Sequence, residues 1–411
     1  MLAREQVRMG HSVWIVASNY LHPLGDYAVL EARFPARQVA PRTELVDGVT
    51  IIRQASFQIH NRVWIRGLGP LVRSLRPDVV HCHNLLQFHP ARLAAARLRA
   101  GTDKFVLLVD DHTLYNTKRK GLVAEAFYLA YRNLIHAIIA AGVSTFTAAA
   151  EECQRFLVKE CGVKGKPEVV PLGVDAELFR PDPARRAAHR SRLGISPDAM
   201  VVIYTGKIVP SKKIELLIDA MAELNKLAHD CVCLAVGDEQ PDYSRKLAHK
   251  IEALGPRVSF RVFASVPQEQ LAGFYSASDV AVWPGAESMA LFEGMASGLP
   301  VVVPEGSAYA DITTRGPGVA FRPDDPKSLA AVLIGLSDHD LRQHLGMEGR
   351  AYVLRARTWR SSAEKYLRIY ENARHTKGKD KSNVRRESGE NGRSGSSRHG
   401  ATYGDDVDIG G

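Results

Sequence analysis

Two lysines five positions apart, Lys207 and Lys212, stand in the segment VVIYTGKIVPSKKIELLIDA, where an apolar run ends at Gly206 and an amphipathic helical pattern begins after Lys213. Such a pair, carried by a strand-to-helix loop, can converge on a diphosphate, where ammonium–phosphate contacts are charge-assisted and strong. Gly206 has no Cβ and so lets a ligand approach the backbone closely. Lysines near a turn are also common on plain surfaces, and this segment alone does not define a site.

The segment VAVWPGAESMALFEGMASGLPVVVP is sharper. An apolar run ends at Trp283, small residues follow at 284–288, and a helical pattern then carries Glu293 and Met295. Small residues at a helix start leave backbone amides free to meet a phosphate. Ser288 stands where an N-cap would, and it serves either the phosphates or the cap. Glu293 lies in a nearly apolar stretch, where an unpartnered carboxylate is costly. It is expected to accept hydrogen bonds from two vicinal ligand hydroxyls or from a neighbouring backbone amide.

In the first half, LLVDDHTLY places His112 just past a strand end, with Asp110 and Asp111 able to orient it. His81 and His83 flank Cys82 at another strand end. A metal reading of these histidines lacks a coherent ligand spacing, so no metal site is expected. The acidic run at 405–408 reads as solvated charge.

Elements that must hold these residues follow from periodicity. Short β-rich runs alternate with helical stretches, which argues for parallel sheets. Strands are expected at 13–17, 49–53, 79–82, 105–109, 144–148 and 168–171. After a polar stretch at 180–197 a second series is expected at 201–205, 231–236, 258–263, 280–282, 301–303 and 319–321. Helical patterns lie between them, at 63–76, 91–99 and 120–140 in the first half and at 214–227, 243–254, 268–276, 289–297 and 328–336 in the second. The fold class is therefore α/β, with two doubly wound, Rossmann-like parallel-sheet domains. A doubly wound domain opens with a strand and a glycine-rich turn. Here LAREQVRMGH already reads as the end of a helix, so that opening strand and loop are expected to be missing.

Composition narrows the class. The chain has 411 residues, 45% apolar and 24% charged, which suits two folded domains. Residues 1–180 carry 23 Lys and Arg against 16 Asp and Glu, so most of the net +9 sits in the first half. That excess suits an anionic partner such as a phosphorylated acceptor, a lipid surface or nucleic acid, or a solvated basic face with no partner. Five cysteines without CxxC spacing argue against a disulfide scaffold and for reduced, cytoplasmic thiols. The longest apolar run, 134–150, is broken by His136, Ser144, Thr145 and Thr147 and falls short of a spanning helix. No strand is followed by GxGxxG, which disfavours a dinucleotide oxidoreductase.

From about Gly10 to Tyr370 the sequence resembles the retaining glycosyltransferases of family four, which have the GT-B architecture of two domains facing a cleft. The resemblance rests on SLRPDVVHCHN, VVPLGVDAELFRP, TGKIVPSKK, LAVGDEQ, FYSASDVAVWPGAESMALFEGMASGLPVV and TWRSSAEKYLRIYE. It implies an acceptor-side domain at 1–180, a donor domain at 181–355 and a helix at 356–374 crossing back to the first domain; the Gly-, Ser-, Arg- and Lys-rich tail at 375–411 is expected from its composition to be disordered. It implies that Lys207 and Lys212 grip the donor diphosphate, with Gly206, Gly237, Gly285 and Ser288 lining the site. Glu293 would bind the donor ribose as the second glutamate of the family's E-x7-E motif. The first glutamate of that motif would fall at Gly285; Glu287 is the nearest carboxylate, at E-x5-E spacing, and is its candidate for the transferred sugar. Lys207 stands where the family usually has Arg, so it keeps the charge without the bidentate fork. His112 would contact the reacting sugar.

The expected activity is thus a retaining hexosyltransferase of polysaccharide biosynthesis, moving sugar from a nucleotide-diphosphate donor to a glycan or lipid-linked acceptor. The nucleotide sugar is a co-substrate, and neither a cofactor nor nucleic acid is expected. A non-catalytic nucleotide-sugar-binding protein on the same scaffold is the alternative. The segment 117–120 leads basic residues into GLVAEAFYLAYRNL, where Leu122, Phe127, Tyr128 and Tyr131 can share one helical side. That side either docks peripherally on an anionic membrane face or packs into the first domain's core.

Overall fold

A short helix, Leu2–Arg8, leads into β1 (Trp14–Ser18), which pairs with two later strands, β2 (Arg42–Val46) and β3 (Val49–Gln54), in the order β1-β3-β2. β1 runs parallel to β3 and β2 antiparallel to it. The computed structural model describes residues 1–21, 38–59, 62–100, 105–115, 118–119, 121–238, 240–286, 288–306, 310–314 and 316–390.

β4 (Ser56–Ile59) and β5 (Arg62–Ile65) then pair antiparallel. This corrects the helical reading of 63–76, whose first residues are strand. Phe57 faces Trp64 directly across the pair, their rings stacked 6.0 Å apart, and such cross-strand aromatic pairs favour strand pairing. The helix begins only at Leu68, after Gly67 with φ +62°, and ends at Leu75. β6 (Val79–His83), β7 (Val106–Asp111), β8 (Thr145–Ala148) and β9 (Glu168–Val169) form a separate four-stranded parallel sheet.

The helical pattern at 120–140 is two helices, Leu122–Ala130 and His136–Gly142, joined by a π-turn at Tyr131–Ile135. Tyr128, Tyr131 and Ile139 are buried in the first core with Leu107, Val109 and Phe156. No single helix among the described residues is long and apolar enough to cross a membrane.

The second half has one sheet of six parallel strands: β10 (Met200–Thr205), β11 (Cys231–Val236), β12 (Val258–Phe263), β13 (Val280–Val282), β14 (Val301–Pro304) and β15 (Gly318–Phe321). Their order is β12-β11-β10-β13-β14-β15. Val201, Val202, Ile203 and Tyr204 are fully buried, as continuous apolar strands are when helices cover both faces. The polar stretch expected at 180–197 holds a helix, Pro183–Leu193. Pro183 opens it, and the Asp182 carboxylate accepts the Arg185 amide.

Two crossings join the halves side by side. The Val174 amide donates to the Arg357 carbonyl at 2.7 Å, and Gly173 packs so tightly on Trp359 that a Cβ would lie 2.3 Å from its amide nitrogen. The final helix, Trp359–Glu390, extends beyond the end expected at 374. It lays Tyr366, Ile369 and Tyr370 against Leu108 and Val170 of the first half. Residues 391–411 of the expected tail lie outside the described residues.

Candidate functional site

Strand order reverses between β10 and β13, and a doubly wound sheet opens a crevice outside the carboxyl ends of its strands at such a point. β10 delivers Gly206 and Lys207 there, and β13 delivers Trp283 to Ser288. Gly206 has φ +133°, a conformation that side chains strain to adopt, and an added Cβ would lie 3.7 Å from Ser288 Oγ. Just past the end of the next strand, β11, lies Gly237, where a Cβ would sit 1.7 Å from the Gly206 carbonyl oxygen. Two strand ends therefore meet backbone to backbone, and only glycine permits the contact.

The two sharp sequence segments interlock. Lys212 ends a short 3-10 turn at Pro210–Lys212 and its Nζ donates to the Ala286 carbonyl at 2.9 Å. The Ala286 amide donates back to the Ser211 carbonyl at 2.9 Å. A Cβ on Gly285 would lie 2.6 Å from the Ser211 carbonyl oxygen, so this approach also requires glycine. Lys207 is exposed at the mouth, and its carbonyl accepts from the Tyr204 hydroxyl at 2.7 Å. Lys213, which the sequence groups with Lys212, instead pairs with Asp324 at 2.5 Å.

Behind the loops lies a polar relay that sequence reasoning missed. The Trp283 indole donates to the Thr205 carbonyl at 2.9 Å, tying the end of β13 to the end of β10. The Tyr275 hydroxyl lies 2.6 Å from Thr205 Oγ1, 3.0 Å from the Ala290 carbonyl and 3.2 Å from Glu293 Oε2. Burial pushes the Glu293 carboxyl up to about 7, and the Tyr275 bond only partly opposes it. A buried tyrosine hydroxyl demands a polar partner, and that was the available signal in FYSASD. The N-cap of helix Ala290–Ala296 is Met289, one residue after the expected Ser288, and among the described residues no side chain caps it; Ser288 Oγ instead accepts the Ala290 amide at 3.3 Å. Glu287 lies outside the described residues.

His112 sits just past β7 in the other half. Its Nε2 is 2.8 Å from Asp110 Oδ2, so of the two flanking aspartates Asp110 orients it. Asp111 is turned to the backbone amides of Leu85 and Thr113. Tyr366 donates to Asp110 Oδ2 at 3.0 Å, and the Thr147 hydroxyl donates to Oδ1 at 3.3 Å. Burial raises the Asp110 carboxyl, yet the imidazoles of His112, His81 and His83 outweigh it and hold it well below the usual carboxylate range. The same Asp110 bond holds His112 above its ordinary value. Burial holds His81 below it.

The structure thus gathers Gly206, Lys207, Lys212, Gly237, Gly285, Ser288 and Glu293 at one sheet end, and His112 with Asp110 at a strand end of the other sheet. Comparison with known proteins follows the same division. The family described as Glycosyltransferase Family 4 matches residues 1–178, and that described as Glycosyl transferases group 1 matches residues 185–352. A D-inositol 3-phosphate glycosyltransferase of Streptomyces bingchenggensis is 31% identical over 315 residues, covering 72% of this chain and 67% of that protein. One of Thermomonospora curvata is 29% identical over 401 residues, covering 89% and 91%. Among solved structures, Anabaena HepE in complex with UDP-glucose superposes with a TM-score of 0.61 at 16% identity, covering 88% of this chain and all of that one.

Proposed function

The chain belongs to the family 4 glycosyltransferases of group 1, and from that premise we propose that it moves a hexosyl residue from a nucleotide-diphosphate sugar with retention of configuration. The observation that carries the donor assignment is the interlock of Ser211 and Lys212 with Gly285 and Ala286 at the sheet's switch point, with Glu293 behind it. Lys207 and Lys212 neutralise the charge that grows on the leaving diphosphate, by preorganised electrostatics rather than a resident cofactor. Gly206, Gly237 and Gly285 keep the crevice floor low enough for the phosphates, Ser288 faces them, and Glu293 holds the ribose hydroxyls. His112, fixed by Asp110, contacts the transferred sugar from the other domain, and Glu287 is assigned to the same sugar. Isothermal titration with uridine, guanosine and adenosine diphosphates tests this reading. One base is expected to bind at least tenfold better than the others, and no binding by any of them removes the donor site.

We assign the acceptor to the anionic class, a glycan or lipid-linked substrate of polysaccharide assembly met at the cytoplasmic face of a membrane. Support comes from the basic first half and from the helix pair at 122–142. Its aromatic residues Tyr128 and Tyr131 belong to the core, as one of the two readings of this face had it. Turned outward instead are Leu122, 87% exposed, Val123, 86%, Leu134, 69%, and Ile138, 67%. Arg119 and Arg132 lie along the same stretch. Apolar side chains flanked by cations suit a lipid interface, each cation adding about 1 kcal/mol near an anionic leaflet. Cosedimentation with phosphatidylglycerol vesicles is expected at low salt, falling at high salt and in a Leu122→Ser, Val123→Ser, Leu134→Ser variant. No binding at low salt returns the acceptor to a soluble phosphorylated compound, the class to which the inositol phosphate of the relatives' names belongs.

A further inference from the structure

His81 and His83 alternate on β6, so both point to one face of the sheet. In the register of the pair, His83 stands opposite Asp110 on β7. Three ligand atoms that the sequence scatters over thirty positions therefore converge: those of His81, His83 and Asp110 all lie within 4.8 Å of one another. His83 Nδ1 is 3.5 Å from Asp110 Oδ2, and His81 Nε2 is 3.9 Å from it. In a four-coordinate site with metal–nitrogen bonds of about 2.0–2.1 Å, ligand atoms stand about 3.3 Å apart. The set must close by about 0.2 Å between His83 and Asp110, about 0.6 Å between His81 and Asp110, and up to about 1.5 Å between its farthest atoms.

The surroundings of these groups are arranged for ligation. His81 Nε2 is buried and has no hydrogen-bond partner among the described residues, while its Nδ1 lies 2.8 Å from the Tyr370 hydroxyl. With the Nδ1 proton on Tyr370, the ring is fixed and its Nε2 lone pair is aimed at Asp110. Metal-binding histidines are oriented in this way through their second nitrogen. Asp110 Oδ2 accepts from His112 and Tyr366 and Oδ1 from Thr147, so its free acceptor position is on Oδ1, and a cation bound through Oδ2 replaces one of the first two bonds. At 3.9 Å the His81 contact is too long to be a hydrogen bond.

We propose that His81, His83 and Asp110 form a binding site for a divalent transition cation of the zinc or cobalt kind, roofed by Tyr366 and Tyr370 of the final helix. Two imidazole nitrogens and one carboxylate favour such ions over magnesium or calcium, which take oxygen donors. The fourth position opens toward His83, the most exposed of the three ligands. A cation there stands beside His112 and bears on the final helix where it returns to the first domain. This site shares Asp110 with the His112 contact of the proposed function, but it uses none of the donor-crevice residues and its test reads cation binding rather than transfer.

Cobalt(II) titrated into chelator-treated full-length protein provides the test, because four-coordinate cobalt has intense visible absorption. One equivalent is expected to bind with that spectrum and to be displaced by zinc(II). His83→Asn, on a half-exposed side chain, is expected to abolish the band without lowering the thermal midpoint. Tyr370→Phe is expected to keep the band and weaken affinity by about 10–100-fold. Absence of the band at millimolar cobalt overturns the site. So does a band that survives both His83→Asn and His81→Asn, since the cation then binds elsewhere.

Discussion

Lys212→Ala is expected to abolish transfer and to weaken nucleoside diphosphate binding while leaving the thermal midpoint nearly unchanged. The side chain has two tasks. It brings a positive charge to the mouth of the crevice, and its Nζ holds the Ala286 carbonyl at 2.9 Å. Loss of one charge-assisted contact costs about 1.5–3 kcal/mol, which is roughly 10–150-fold in affinity. The transition state should lose more than the bound donor does, because the diphosphate gains charge as the sugar departs. Stability should hold, since the lysine is only half-buried and the adjoining backbone bond from Ala286 to Ser211 is independent of it. Calorimetry with the preferred diphosphate, paired with a transfer assay, measures both effects. Unaltered affinity would remove Lys212 from the donor site. Lys213→Ala is the control, because its ammonium is engaged with Asp324, and only small changes are expected from it.

Much of this crevice was legible in the sequence because its parts are local. Gly206 to Lys212 and Pro284 to Glu293 are each a strand end, a tight loop and a helix start, and the residue types of such a unit follow from its own backbone geometry. The buried strands of the second half were legible for the same reason, as short β-branched runs between turns. Failures occurred where a neighbour distant in sequence decides the outcome. Arg62–Ile65 became strand because Phe57 and Trp64 meet across a pair that no periodicity announces. At 122–142 the sequence left membrane docking and core packing both open, and Tyr128 and Tyr131 are buried while Leu122, Val123, Leu134 and Ile138 face outward, an orientation that periodicity alone did not decide. His81, His83 and Asp110 lacked ligand spacing along the chain, yet strand register brings them together. Spacing arguments recognise sites built on one helix or loop. They do not report side chains that a parallel sheet brings together, where adjacent strands are separated by a whole crossover.

Glu293→Gln should separate stability from function in the opposite way to most core substitutions. Burial raises the native carboxyl to about 7, whereas in the unfolded chain it titrates near its ordinary value of 4.5. Between those values the native state holds a proton that the unfolded state has lost, so this group makes stability fall as pH rises from about 4.5 to about 7. Above about 7 the ionised carboxylate remains a cost within an apolar shell, eased by the Tyr275 hydroxyl at 3.2 Å. Glutamine has no charge to desolvate and can still accept from Tyr275, so the thermal midpoint at pH 8 should stay level or rise. Nucleotide affinity should fall, because a carboxylate accepting from two ribose hydroxyls loses its charge assistance, again about 1.5–3 kcal/mol. The parent protein should mimic its variant as the medium is acidified. If only the ionised form holds the ribose, affinity drops by up to about tenfold per pH unit below 7, and the variant shows no such slope. Calorimetric titrations of both proteins from pH 5.5 to pH 8 measure this. Parallel slopes in the two would place Glu293 outside the ribose contact and leave it as a partner of Tyr275 alone. The same series on Glu287→Gln should keep the parent's affinity and slope, with the loss confined to transfer, if that residue meets the sugar rather than the nucleotide.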